Sequence, residues 1–148
     1  MVFQGKNVVV TGGANGIGLA ISRNIVAAGG AVWIFDVESE NPAAIAQRIG
    51  AQACIADTAD RPSLERAFAQ VPVPDVLVVN AGIALLASVA ETTPDLWNRT
   101  LAVNLSGAFH TLQIAGQRMK SVRKGSVVLT ASTNSFDGEA GLVVLFDL

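Results

Sequence analysis

Five short apolar runs recur along the chain, and the stretches between them follow a helical period instead. The runs are "NVVV" (residues 7–10), "AVWIF" (31–35), "ACIA" (53–56), "VLVV" (76–79) and "SVVLT" (126–130). They are rich in β-branched residues and almost unbroken by polar ones, as strands covered on both faces need to be. Between the first two, Ile21, Ile25 and Ala28 stand at i, i+4 and i+7, and Gly29-Gly30 supplies a stop. Pro42 opens a second helix near its first position, and residues 61–69 form a third. The fourth and longest spans residues 94–119, with Leu101, Leu105, Ala108, Leu112 and Ala115 along one face. Val103 and Phe109 lie off that stripe, so a second face awaits a further element or another subunit. Strand–helix–strand repeated in this way predicts an α/β fold with a doubly wound parallel sheet of five strands.

Composition narrows the function. At 148 residues, 51% apolar and 15% charged, the chain is expected to form one globular domain over residues 1–148. It shows no internal repeat and no linker. The net charge of -2 and the lack of a basic stripe argue against nucleic acid as a partner. The three cations within residues 120–124 read as solvating a helix end. A single cysteine, Cys54, fits a reducing, cytoplasmic setting. No signal-like start and no run of ~20 apolar residues points to a membrane. No metal is expected. Trp33, Trp97 and Cys54 read as packing residues, and the lone His110 as surface or interface.

"TGGANGIG" (residues 11–18) follows the first strand and leads into a helix. A sharp exit from the strand favours glycine at Gly12. Close approach of a pyrophosphate to the helix N-terminus favours it at Gly16, and tight helix–strand packing at Gly18. Gly13 and Asn15 also tolerate positive φ, and Ile17 completes the turn. Asp36 ends the second strand, 20 residues beyond Gly16, where a carboxylate can accept both ribose hydroxyls of an adenosine. It would repel a 2′-phosphate by about 4 kcal/mol at ~4 Å and an effective dielectric of ~20. No cation lies in the turn or directly after Asp36, so the expected cofactor is NAD, in a Rossmann-type sheet.

These residues resemble the short-chain dehydrogenase/reductase family, over residues 6–144. The glycine spacing is that family's. "IADTAD" places Asp57 where the family holds the adenine amino group, and "VVNAG" supplies Asn80, Ala81 and Gly82 after the fourth strand, with Val79 where the family usually has a second asparagine. "DLWNRTLAVNLSGAF" resembles its long helix, with Asn104 at the structural and proton-relay asparagine. In "GSVVLTAS", Ser132 falls at the substrate-orienting serine. Read singly, Asp57 could cap a turn, Asn80-Ala81-Gly82 could form a simple loop, Asn104 could be a satisfied buried amide and Ser132 a loop hydroxyl. The resemblance implies hydride transfer between a nicotinamide and a small-molecule secondary alcohol or ketone, and a homo-oligomer for full-length members.

The family's tyrosine falls thirteen residues after the serine, with a lysine four further on. Here the tyrosine position holds Leu145, the lysine position lies one past residue 148, and the chain has no tyrosine at all. Loss of a positioned general acid/base costs 10²–10⁴ in rate, about 3–5.5 kcal/mol of barrier. The apolar ending "GLVVLFDL" therefore reads as family sequence interrupted before the catalytic turn, with residues 145–148 outside it. The expectation is an incomplete family domain lacking its C-terminal strands and helices, inactive alone and of low stability, with its fifth strand as an open edge. A non-catalytic NAD-binding module and an interaction fragment are the alternatives.

Overall fold

The computed structural model describes residues 1–84 and 87–132. Its sheet is wholly parallel, in the order β3-β2-β1-β4-β5. In chain order the strands are β1 (Asn7–Thr11), β2 (Ala31–Asp36), β3 (Gln52–Ile55), β4 (Val76–Val79) and β5 (Ser126–Leu129). The helices are α1 (Gly16–Ala27), α2 (Pro42–Ile49), α3 (Arg61–Ala69), α4 (Pro94–Leu101) and α5 (Ala108–Ser121). A π-helical turn, Ala102–Gly107, joins the last two into one long helix. The doubly wound sheet is therefore as expected, its elements displaced by a residue or two at most from the sequence reading.

Unbroken β-branched runs leave no polar face, so each side of the sheet needs its own helical cover. On one side Val8, Val10, Ile34 and Val78 pack with Ile25 of α1 and Ala46 of α2. On the other, Val9, Phe35, Leu77 and Val79 meet Leu64 and Phe68 of α3 and Ile114 and Ala115 of α5. Phe35 and Phe68 meet edge-on, ring centroids 4.9 Å apart. Burying side chains such as Phe35 and Leu77 completely is worth about 1.5–3 kcal/mol each. β5 lies at one edge of the described sheet, with all four residues exposed.

The long helix departs from the expected stripe. Its buried side is Thr100, Asn104, Gly107, Thr111, Ile114 and Ala115. Leu105 is 49% exposed, and Leu101, Ala108 and Leu112 are only half-buried. The reason is close approach: a Cβ on Gly107 would lie 3.0 Å from Thr58. Small side chains occupy that contact, and of the three leucines Leu105 turns outward, beside the exposed Phe109. Trp97, expected to pack, is 39% exposed, whereas Trp33 and Cys54 do join the α3-side core. His110 is half-buried.

At the amino ends of the strands, Asp75 ties three together. Its carboxylate accepts the Asn7 N–H (3.0 Å) and pairs with Lys124 (2.6 Å) and, more distantly, Lys6 (3.9 Å). Its own backbone bonds to Asn7 and Ser126.

Candidate functional site

In the order β3-β2-β1-β4-β5 the chain direction of winding reverses between β1 and β4, and ligands of open α/β sheets bind beyond the carboxyl ends at such a point. Hydrogen bonds lock these ends together. The fully buried Thr11 hydroxyl donates to the Val78 carbonyl (3.5 Å) and accepts the N–H groups of Asn80 (3.0 Å) and Ala81 (3.2 Å). The Asn80 amide nitrogen donates to the carbonyls of Thr11 and Gly12, both at 3.3 Å, and its oxygen accepts the Thr130 hydroxyl at 3.2 Å.

The glycine turn runs across this frame. Gly12 has φ +62°, and a Cβ there would stand 2.8 Å from Ala81 Cα. A Cβ on Gly18 would overlap the Gly12 carbonyl oxygen, so Gly18 serves packing and does not line the cleft. Gly16 differs: at φ +49° it has no atom within 4 Å of where a Cβ would be. The positive φ angles thus fall on Gly12 and Gly16. Asn15, expected to tolerate positive φ, is extended (φ -139°) and caps α1, its Oδ1 accepting the Gly16 N–H at 2.7 Å. Gly13 has no positive φ either.

A cleft of about 800 Å³ opens over these strand ends, within the usual range for ligand sites. The turn gives it Gly12, Asn15, Gly16 and Ile17; the end of β2 gives Asp36, and the end of β3 gives Asp57. Asn80, Ala81 and Gly82 follow from β4. Of the ten residues expected at a cofactor, all but Gly18 line the one cleft. The start of α1 has room for a diphosphate: Gly16 leaves open the space a side chain would fill, and Ile17 lines the cleft beside it.

Asp36 accepts the Ala14 N–H on one oxygen and the Val37 N–H on the other, both at 2.9 Å. Burial pushes its pKa above the ordinary carboxylate value; the two N–H groups pull it down, and Glu40 pushes it further up. Asp57 is exposed, and its Oδ1 accepts the Ala59 N–H at 2.9 Å. It shapes the turn, while Asp60 caps α3 through the Ser63 N–H.

Asn104 and Ser132 are not in the lining of the cleft. Asn104 is buried in the π turn and committed at both ends of its amide. Its oxygen accepts the Ile83 N–H (2.8 Å), and its nitrogen donates to the Ile83 carbonyl (2.9 Å). It fixes the segment after Gly82. Ser132 is half-buried, three residues past β5. Leu145 and the apolar ending lie outside the described residues. Sequence reading missed Glu40, Arg99 and Thr130 in the lining, and Thr11 beneath it. Thr11 had a signal, being a hydroxyl at a strand end directly before the glycines; Arg99 had none.

The family model for short chain dehydrogenases matches residues 6–144. D-threitol dehydrogenase from Mycolicibacterium smegmatis is 37% identical over 141 residues, covering 88% of this chain and 54% of that protein. A solved short chain dehydrogenase/reductase family protein superposes with a TM-score of 0.93 at 30% identity, covering 99% of this chain and 63% of the other. A 3-oxoacyl (acyl-carrier-protein) reductase from Agrobacterium tumefaciens, solved with NADP bound, gives 0.87 at 31% identity, with 97% and 59% covered. The chain belongs to the short-chain dehydrogenase/reductase family of oxidoreductases. It spans little more than half the length of these relatives.

Proposed function

We propose that this chain binds NAD as the cofactor-binding portion of a dehydrogenase acting on a small-molecule secondary alcohol or ketone. The observation that carries the reading is the cleft itself, where an open glycine at a helix start and a desolvated carboxylate at the end of β2 face one space. The first-turn amides of α1 bind the diphosphate, and Asp36 accepts the adenosine ribose hydroxyls on the lone pairs its backbone partners leave. Bound NAD supplies the hydride acceptor. Glu40 stands with Asp36 in the lining, and the pair disfavours a 2′-phosphate, although the similar reductase was solved with NADP. Asn104 acts by positioning Ile83. The outward Leu105 and Phe109 support self-association.

Residues 1–148 hold no tyrosine, so no phenol of this chain can move the substrate proton. A second reading, a module that binds NAD without turnover at ordinary enzyme rates, rests on Leu145 standing at the family's tyrosine position. Calorimetric titration tests the cofactor: NAD binds, and NADP binds at least about tenfold more weakly. In Asp36→Asn the preference narrows or disappears. Equal affinity of the unaltered chain for both nucleotides would sink the assignment to NAD. Nicotinamide absorbance with small secondary alcohols separates the two catalytic readings.

A further inference from the structure

Charge in the cleft is poorly matched to a dinucleotide. Among the described residues three carboxylates line it, Asp36, Glu40 and Asp57, against one cation, Arg99. Residues 85–86 and 133–148 contain no lysine, arginine or histidine, so they can add no second cation. The diphosphate of NAD brings two more negative charges into this space. The N-terminus of α1 offsets part of that, with an effective charge of only about +0.5.

Arg99 is well placed to offset more. It stands in α4 one turn before Val103, and both line the cleft, so this side of the helix faces the ligand space. The residue is exposed, and its guanidinium has no ion pair or side-chain hydrogen bond among the described residues. Arg61, Arg66 and Arg118, in contrast, are each tied to a neighbour. A free guanidinium presents a planar fork of donors suited to phosphate oxygens.

We propose that Arg99 supplies the counter-charge for the cofactor's diphosphate and so controls how strongly an anionic nucleotide is held in an otherwise acidic cleft. The inference rests on the cofactor reading above. It makes Arg99 a binding residue that no glycine motif reveals, and it assigns the effect to charge, not to packing against the purine.

The test compares ADP-ribose, which carries the diphosphate, with adenosine, which is neutral, on the 148-residue chain and its Arg99→Met, Arg99→Lys and Arg99→Glu variants. At about 20 mM salt Arg99→Met should weaken ADP-ribose about tenfold and Arg99→Glu more, with Arg99→Lys within about threefold of the original. Adenosine affinity should stay within about twofold throughout, and the ADP-ribose loss should shrink at about 500 mM salt as screening takes over. Matching melting curves will show that the exposed substitutions leave the fold intact. Equal losses for adenosine and ADP-ribose would show purine packing and overturn the proposal. So would an unchanged ADP-ribose affinity in Arg99→Met while the original chain binds. If the original chain binds no ADP-ribose, the cofactor reading falls, and this inference with it.

Discussion

Asp75 and Asp36 sit at opposite ends of one sheet and are treated in opposite ways. Asp75, at the amino ends, is surrounded by compensation: a hydrogen bond from Lys124, the Asn7 N–H and the nearby Lys6 hold its carboxyl below the ordinary range. Asp36, at the carboxyl ends, gets two backbone N–H groups and no cation among the described residues. Burial drives its pKa up, and Glu40 adds to that. The first is a carboxylate whose charge is already used, joining β1, β4 and β5. The second has no cationic partner among the described residues, and under the function proposed above its charge is kept for a ligand.

If that contrast is right, damage at the two ends should have separable effects. The largest is expected for Gly16→Ala, which puts a methyl group in the open space at the helix start. NAD affinity should fall about 100-fold, or roughly 2.7 kcal/mol. Stability should fall by only about 1–2 kcal/mol, from the positive φ. Calorimetry and urea unfolding measure the two, and retained affinity would break the comparison. Next comes Asp75→Ala, which strands the Asn7 N–H. It should cost about 1–3 kcal/mol in urea unfolding and leave NAD affinity within about twofold. A matching loss of affinity would mean that the two ends are not independent. The smallest effect is in the pH profile. The folded pKa of Asp75 is depressed, so its stabilisation is full above the unfolded value of about 3.9 and is lost as pH falls through the folded value. The melting gap between the unaltered chain and Asp75→Asn should therefore close in acid. Asp36 runs the other way: with a raised folded pKa, its unfavourable charge is felt at neutral pH and relieved as pH falls through that value.

Much of the carboxyl end was readable from sequence because its determinants are local. Glycine spacing follows from a turn a few residues long, and Asp36 and Asp57 are marked by the strands just before them. The fourfold alternation likewise carries the topology. The amino end was not readable, because Asp75 gains its meaning from Asn7 and Lys124, distant in the chain. The inner face of the long helix was misread for a related reason. Hydrophobicity picks out leucines, but the contact between Gly107 and Thr58 selects for smallness, and nothing within the helix announces that neighbour. The bland reading of Asn104 as a satisfied buried amide describes its geometry, with Ile83 as the partner that sequence could not name.

The wide turn at Ala102–Gly107 has a mechanical corollary. An i→i+5 turn is an α-helix that has absorbed an extra residue without breaking. Excising one residue there would restore ordinary winding and leave the two flanking segments in nearly the same rotational phase, because the wide turn already takes up the extra residue within one revolution. Arg99 would then still face the cleft, and only the side chains within the turn itself would be re-aimed. A change of one residue in length at this spot would thus be confined to the turn that holds Val103 and Asn104, and the helix on either side would keep its face toward the sheet.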